Sequence, residues 1–567
     1  MITHKKQSLK ERLEKLYSKE DAESAYAETL KLLKSHRSII DSSPYRMNQK
    51  DAILITYGDS IQKDNQKHLK TLKEFSELFL RDTINTIHIL PFYPYSSDDG
   101  FSVINYKEVN PDLGSWDDVV QLSKKNRLMF DAVINHISQH SEWFQGYLND
   151  SDKYKDWFIN VSEEIDLSAV IRPRALPLLS PFETKSEQIK HIWTTFSRDQ
   201  VDLNYHNHHV LIAVLDVLLH YVKMGARLIR LDAIAFVWKK IGTNCIHLEE
   251  THQVIQFLRD ALHQVAPEIV IITETNVPHK ENISYFGSGE DEAQMVYNFA
   301  LPPLLAYSII SGECQQLTDW AASLSLPSDK VCFFNFTASH DGIGLRPVSE
   351  ILNEKEIQQL IHAVEMSGGL VSMRSNGDGT ESPYELNCNY MDLLSPLTAK
   401  KEERVARMLL SQGVALTMPG VPGIYIHSLL GSRNDIDSMM RTNINRSINR
   451  EKLNWNALMD DLQDDDSHRN PIFQNYRNML SIRTKEPAFD PFSKFDILSL
   501  NKSLFAMVRY CPAEQSKILV LANFSHETLT VKDLPYRGPF RELLTDREVD
   551  LEQTIMAPFE QMWIKLS

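Results

Sequence analysis

The sequence predicts an α/β fold based on a (β/α)8 TIM barrel. Eight short apolar runs, rich in β-branched residues, alternate with longer stretches of helical pattern. These runs cover 52–57, 84–90, 128–134, 226–231, 268–273, 294–299, 331–336 and 414–420. Continuous hydrophobicity is typical of parallel strands that are covered on both faces. Eight such units favour a closed barrel over a doubly wound sheet, whose glycine-rich phosphate fingerprint does not follow the first run.

The spacing of the runs predicts insertions into the barrel and additional terminal segments. The third run ends at 134 and the fourth begins at 226, which leaves room for an inserted domain after strand three. A second insertion with an acceptor loop follows strand seven, and alternating apolar residues near the end of the chain predict an antiparallel β domain. The predicted boundaries are 1–46 for an N-terminal helical extension, 47–137, 201–345 and 399–489 for the barrel, 138–200 and 346–398 for the two insertions, and 490–567 for the C-terminal β domain.

Composition and charge narrow the possible partners. The formal net charge of −16 disfavours nucleic acid and anionic membranes, because both require a basic surface. The sequence contains no stretch of 18 apolar residues, so we predict no membrane span. The first residues do not resemble a signal peptide. Five scattered cysteines indicate a cytoplasmic protein. We expect no organic cofactor and no metal, since no corresponding motif or ligand spacing is found. The N-terminal helices could support a homodimer.

Candidate catalytic residues lie where the predicted strands end. Five of the eight runs end near a His, Asp, Glu or Arg residue, and a barrel gathers such residues at one face. Asp232, Glu274 and Asp341 follow different runs, so only the barrel would bring them together. Two carboxyl groups in different protonation states suit glycoside chemistry, in which one attacks the anomeric carbon and the other protonates the leaving oxygen.

The run that precedes Asp232 contains an arginine two residues earlier, Arg230. On an extended strand, residues two apart share a face. We therefore expect the Arg230 guanidinium to lie beside Asp232 and to keep that carboxylate ionised, as a nucleophile requires. A purely structural ion pair is the alternative interpretation.

Several motifs together resemble a known family. "GARLIRLDAIAF", "IITETN", "FTASHDGIG", "DAVINHIS" and "SSDDGFSVINY" are similar to glycoside hydrolase family 13, the α-amylase family. "GTNCIHLEETH", "PGVPGIYI" and "NINRSINR" resemble its sucrose-phosphorylase-like subfamily, and the match spans about 50–460. The resemblance implies that Asp232 is the nucleophile, Glu274 the general acid/base and Asp341 the transition-state stabiliser. It implies that the other sugar-binding residues are Asp98, Phe101, His136, Gln200, Arg230, His340 and Arg446.

The subfamily resemblance also implies the reaction. Its members transfer glucose to inorganic phosphate with retention, by two displacements at one carbon. A retaining mechanism expects carboxyl groups about 5–5.5 Å apart. Arg174 of "RPRAL" matches a phosphate-contacting arginine, and Arg172 lies two residues before it. A guanidinium fork suits a phosphate dianion.

The residues around the acceptor depart from the sucrose phosphorylase pattern. Asn276 stands where histidine is usual, Phe236 stands where tyrosine is common, and the loop 378–387 differs although Tyr384 is kept. "ITETNVPHKENISYFG" and "SPYELN" resemble most the glucosylglycerate phosphorylases, which implies 2-O-α-D-glucosyl-D-glycerate as substrate.

Other activities stay open at this point. Sucrose, sucrose 6-phosphate or glucosylglycerol are alternative substrates, and a hydrolase or transglucosidase of the same family is an alternative reaction. A catalytically inactive scaffold is disfavoured because all three carboxylates are present.

Overall fold

The structure is a computed structural model that describes residues 8–37, 45–174, 176–375 and 380–567. Parts of three predicted segments therefore lie outside the described residues. They are 1–7 and 38–44 of the predicted N-terminal extension, 175 of the predicted first insertion, and 376–379 of the predicted second insertion, which include 378–379 of the acceptor loop.

A closed barrel of eight parallel strands forms the centre of the molecule, which confirms the predicted fold class. Its strands are β1 (Ile53–Thr56), β2 (Thr86–Ile89), β3 (Arg127–Ala132), β4 (Ala226–Leu231), β5 (Val270–Thr273), β6 (Met295–Tyr297), β7 (Cys332–Phe336) and β8 (Val421–Tyr425). They pair in chain order, and β8 closes the barrel on β1. Nearly every strand residue is buried, as continuous apolar runs predict.

The eighth strand lies further along the chain than we predicted. The run 414–420 mostly belongs to the helix Lys401–Thr417, and the strand begins at Val421. A short apolar run does not distinguish a buried helix from a buried strand. The true strand contains Pro422 and Gly423, which normally argue against a central strand. Gly423 packs where a Cβ atom would collide with the Phe334 ring of β7, so this close approach requires glycine.

Helices surround the barrel and connect its strands. The helices are Leu9–Leu16, Lys19–His36, His68–Phe79, Trp116–Ser123, Glu142–Leu148, His208–Lys223, Glu249–His263, His279–Asn282, Leu301–Ser311, Gln315–Ser323, Glu354–Met366, Tyr390–Leu394, Lys401–Thr417, Ile426–Leu429, Ile436–Thr442, Trp455–Asp461 and Arg469–Arg483. Among the residues that the structure describes, no helix has both the length and the apolar character that crossing a bilayer requires.

Smaller sheets lie outside the barrel. Between β3 and β4, strand His136–Ser138 pairs with Gln200–Asp202, and Leu179–Glu183 pairs with Ile189–Trp193. Between β7 and β8, Ile343–Gly344, Leu370–Ser375 and Glu381–Asn387 form an antiparallel sheet. The C-terminal strands Lys494–Asn501, Leu504–Cys511, Ser516–Asn523, Gln561–Lys565, Pro539–Glu542 and Arg547–Asp550 form one antiparallel sheet in that order. This arrangement confirms the predicted C-terminal β domain.

The two N-terminal helices pack against the outside of the barrel. Leu13, Ala22 and Ala25 are fully buried. The buried Arg12 guanidinium lies 2.6 Å from the carboxylate of Asp260 on the helix Glu249–His263. These helices are therefore attached to the barrel by both apolar and charged contacts.

Candidate active site

A cavity opens at the C-terminal end of the barrel strands, where we predicted the site. It is lined by Asp98, Phe101, His136, Pro173, Arg174, Phe196, Gln200, Asp232, Ala233, Glu274, Asn276, Phe299, His340, Asp341, Gly342, Tyr384 and Arg446. The three predicted carboxylates are thus brought together from the ends of β4, β5 and β7. Among the predicted residues, Arg230 lies beneath the cavity and Arg172 does not line it.

Arg230 on β4 connects two of the three carboxylates. Its Nη1 donates to Asp232 Oδ1 at 2.6 Å, and its Nη2 lies 3.7 Å from Glu274 Oε2. The backbone N–H of Ala233 donates to the same Glu274 oxygen at 3.0 Å. Ala233 has a φ of 48°, a left-handed conformation that non-glycine residues rarely adopt. The turn after β4 therefore holds Asp232 and Glu274 next to each other at the cavity floor.

Asp131, a residue that the sequence analysis missed, shares the Arg230 guanidinium. It lies opposite Arg230 in the register of β3 and β4, is fully buried, and accepts from Arg230 Nη1 and from His88 Nε2. A lone aspartate within the apolar run "LMFDAVI" was a visible signal, because an unpaired charge is costly to bury. The Arg230 guanidinium therefore donates to two carboxylates, the structural Asp131 and Asp232.

The predicted contact between Arg230 and Asp232 is present, and burial opposes its effect on the charge of Asp232. Burial raises the pKa of Asp232 to about 8 and outweighs the lowering by Arg230. Burial also raises the pKa of Glu274, although Arg230 opposes this shift. Two neighbouring buried carboxyl groups titrate as a pair and keep a proton between them at neutral pH. The closer guanidinium contact favours the anion on Asp232 and the shared proton on Glu274.

Asp341, in contrast, is held as an anion. Burial opposes ionisation, but the guanidinium of Arg446 at 2.6 Å and the neighbouring His340 lower the pKa of Asp341 well below its usual range. Arg446 also makes a bidentate contact with Glu385, at 2.9 and 2.8 Å. Glu385 was missed as a separate residue, although it lies within the quoted "SPYELN". Its contact fixes the orientation of the Arg446 fork.

Aromatic rings form one wall of the cavity. Phe101 stacks on His340 with ring centroids 4.6 Å apart and planes within 1°. Burial lowers the pKa of His340 to about 3, so the imidazole is neutral at pH 7. His136 Nε2 lies 2.9 Å from the Phe101 carbonyl, which also accepts from the Gln200 amide at 3.1 Å. These contacts provide a rigid apolar surface bordered by polar atoms.

A second guanidinium reaches the cavity from the insertion between β3 and β4. Arg174 Nη2 donates to Asp98 Oδ2 at 3.2 Å, and its guanidinium lies over the Phe196 ring. Burial opposes ionisation of Asp98, but Arg174 and Arg446 lower its pKa. Arg172 instead donates to the Leu176 carbonyl. The structure therefore separates the two arginines, which the sequence did not.

Asn276 and Tyr384 meet in the lining of the cavity. The Asn276 amide lies 3.5 Å from the Tyr384 hydroxyl, and burial raises the pKa of Tyr384 to about 12. Asn276 Oδ1 is buried and has no hydrogen-bond partner within the described part of the chain. A Cβ atom on Gly344 would collide with the Asn276 side chain, so the backbone at Gly344 closely confines it.

Two aromatic residues of the cavity were also missed. Phe196 precedes the strand Gln200–Asp202, and Phe299 follows β6. Phe236, which we singled out, packs edge-on against Phe196 at 5.6 Å between ring centroids. A phenylalanine beside an apolar run is more often a core residue, so the sequence contained no specific signal for these positions.

Residues 79–345 match the family model "Alpha amylase, catalytic domain". The chain is 44% identical to glucosylglycerate phosphorylase of Escherichia coli (strain K12), over 94% of this chain and 95% of that protein. It is 28% identical to sucrose phosphorylase of Streptococcus mutans serotype c, over 81% and 92%. Its fold is similar to the crystal structure of sucrose 6F-phosphate phosphorylase from Thermoanaerobacter thermosaccharolyticum, with TM-score 0.73 and 24% identity over 84% of this chain and 94% of that one.

Proposed function

Because this chain belongs to the α-amylase family, glycoside hydrolase family 13, together with the glucosylglycerate phosphorylases, we propose that it is a retaining glucosylglycerate phosphorylase. It converts 2-O-α-D-glucosyl-D-glycerate and phosphate reversibly into α-D-glucose 1-phosphate and D-glycerate. The observation that carries this proposal is the meeting of Asp232, Glu274 and Asp341 in one cavity.

The first displacement uses the Asp232–Glu274 pair. Asp232 attacks the anomeric carbon of the glucosyl unit, while Glu274 donates the shared proton to the leaving oxygen of glycerate. The C–O bond to glycerate breaks as the ester bond to Asp232 forms. The anionic Asp341 stabilises the positive charge that develops on the sugar ring and binds its hydroxyl groups. The stacked Phe101 and His340 rings provide the surface against which the sugar ring packs.

The second displacement replaces glycerate by phosphate. A phosphate oxygen attacks the anomeric carbon from the face that glycerate left, the ester bond to Asp232 breaks, and the configuration is retained. Glu274, now ionised, accepts the proton of the attacking phosphate oxygen. Arg174 reaches the cavity, and its guanidinium suits the phosphate dianion. Arg172 is not part of this proposed phosphate site.

The acceptor is recognised where Asn276 and Tyr384 meet. Asn276 lines the cavity, and its side-chain amide can donate a hydrogen bond to the glycerate carboxylate. The 44% identity to a glucosylglycerate phosphorylase, against 28% to a sucrose phosphorylase, supports glycerate over fructose.

A screen of phosphorolysis tests the proposed function. The purified chain is incubated with phosphate and glucosylglycerate, glucosylglycerol, sucrose or sucrose 6-phosphate, and glucose 1-phosphate and free glucose are both measured. We expect glucose 1-phosphate from glucosylglycerate at the highest kcat/KM. Free glucose alone would reject the phosphorylase, and a higher kcat/KM with another glucoside would reject the proposed acceptor.

The pH dependence of kcat/KM follows from the shared proton. The pKa of Asp232 is raised to about 8, so the pair holds one proton at pH 7 and loses it as the pH rises through about 8. Without this proton Glu274 cannot protonate the leaving glycerate, and we expect kcat/KM to fall on the alkaline side with an apparent pKa near this value. Activity that returns on transfer to pH 7 distinguishes titration from unfolding. A kcat/KM that stays constant to pH 10 would contradict the shared proton.

Replacing Asn276 by histidine tests acceptor recognition. Histidine is larger, and Gly344 confines the position, so we expect Asn276→His to lower kcat/KM for glucosylglycerate by about 10- to 100-fold. The kcat/KM of this variant for sucrose should fall less or rise. The ratio of kcat/KM for glucosylglycerate to kcat/KM for sucrose should therefore decrease. Tyr384→Phe is a matched variant that keeps the ring but removes the hydroxyl group. An unchanged glucosylglycerate-to-sucrose ratio in Asn276→His would show that Asn276 does not select the acceptor.

The proposal includes a cytoplasmic location and a homodimer. The five scattered cysteines support the location. Analytical ultracentrifugation of the full chain tests the homodimer, which a single monomeric species at micromolar concentration would exclude.

A further inference from the structure

A cluster of three potential metal ligands lies on the outside of the barrel, and none of the three lines the cavity. Glu28 belongs to the N-terminal helix Lys19–His36, whereas His208 and His209 begin the barrel helix His208–Lys223. One ligand atom from each residue lies within 4.8 Å of the others. The glutamate is 180 positions from the histidines in the chain, so the cluster exists only because the two helices pack together.

The distances are close to those of a tetrahedral metal site. His209 Nδ1 lies 3.4 Å from Glu28 Oε1, and His208 Nε2 lies 3.8 Å from the same oxygen. Zinc bonds of about 2.0–2.1 Å place neighbouring ligand atoms about 3.3 Å apart. Small side-chain rotations would therefore bring all three atoms within bonding distance of one ion.

One of these ligand atoms makes no hydrogen bond to the part of the chain that the structure describes. His208 is only 9% exposed, and its Nε2 atom is buried without a hydrogen bond among the residues that the structure describes. Buried polar atoms are normally satisfied. The atom faces the Glu28 carboxylate, so a metal ion between them would satisfy both groups.

The other nitrogen of His208 faces a carboxylate, at a distance slightly longer than a hydrogen bond. Its Nδ1 lies 3.7 Å from Asp21 Oδ1, and the Ser18 hydroxyl donates to the second oxygen of Asp21 at 2.8 Å. A ligating histidine commonly directs its second N–H to a carboxylate, which fixes the tautomer and the ring orientation. Asp21 also adds negative charge, which offsets the positive N-terminal end of the barrel helix.

We propose that Glu28, His208 and His209 bind one divalent transition-metal ion that fastens the N-terminal helix to the barrel. Two imidazole nitrogens and one carboxylate oxygen match the ligand preference of Zn²⁺, with water as the fourth ligand. His209 and Glu28 are partly exposed, so the ion can enter from solvent. The site is structural, because it joins two helices away from the cavity. Glu28 and the two histidines are far apart in the chain, so ligand spacing along the sequence gives no signal for such a site.

Direct zinc binding tests this proposal. Untagged full-length protein is stripped with a chelator and titrated with Zn²⁺ in competition with a chromophoric chelator. We expect one high-affinity equivalent in the wild type and a thermal midpoint that rises with Zn²⁺. Glu28→Gln and His209→Asn should weaken binding by more than about 100-fold, and Asp21→Asn by about 10-fold. His362→Asn, an exposed histidine on the helix Glu354–Met366, is the matched control and should bind as the wild type does.

Two results of the zinc titration would overturn the proposed site. Circular dichroism checks that the variants fold. We expect them to fold, because the substituted side chains are partly exposed. Failure of the wild type to bind one equivalent would overturn the site. Equal affinity in Glu28→Gln, His209→Asn and the wild type would also overturn it, because the zinc would then bind elsewhere, for example at the carboxylates of the cavity.

Discussion

Replacing Asp232 by asparagine is expected to abolish turnover while the protein stays folded. Asparagine has the same shape and can still accept the Arg230 hydrogen bond, but it cannot form the glucosyl ester. We expect kcat for glucose 1-phosphate release to fall on the order of 10⁴-fold or more. The measurement is a phosphorolysis assay of the variant and the wild type at saturating phosphate and glucosylglycerate.

A surface variant provides the control for this experiment. Asp329→Asn makes the same chemical change at an exposed aspartate, and it should retain wild-type kcat. Thermal unfolding of Asp232→Asn should resemble that of the wild type. If Asp232→Asn keeps activity within tenfold of the wild type, Asp232 is not the nucleophile and the proposed double displacement fails.

The second large effect is expected at Asp131, which does not line the cavity. Asp131→Asn removes a fully buried carboxylate that pairs with both Arg230 and His88. Breaking a buried ion pair leaves an uncompensated charge and costs about 3–5 kcal/mol. We therefore expect a lower denaturant midpoint, measured by circular dichroism at equilibrium.

The same variant should also change the pH profile, which a purely structural residue would not do. The negative charge of Asp131 raises the pKa of Asp232, and Asp131 shares the Arg230 guanidinium. Without this charge the pKa of Asp232 decreases, and the alkaline limb of kcat/KM should move to lower pH. His88→Gln is the matched variant, since it removes the other partner of Asp131 but keeps the Arg230 contact. An alkaline limb that is identical in Asp131→Asn and the wild type would contradict this role.

The order of the motifs along the chain was sufficient to predict much of this fold and part of the site. Continuous apolar runs predicted buried parallel strands, and the polar residues that end them predicted which face carries the chemistry. Asp232, Glu274 and Asp341 could be selected because the end of a strand is a local property of the sequence. Residues such as Asn276 and Tyr384, which line the same cavity, were selected through family motifs.

Burial and the pairing of strands decided what the sequence could not. The register of β3 and β4 places Asp131 opposite Arg230, so the guanidinium is shared and burial controls the pKa of Asp232. The Arg446–Glu385 contact and the cluster of Glu28 with two histidines likewise join distant parts of the chain. The strength of a charge depends on its neighbours and on its access to water, and both are fixed only when the chain folds.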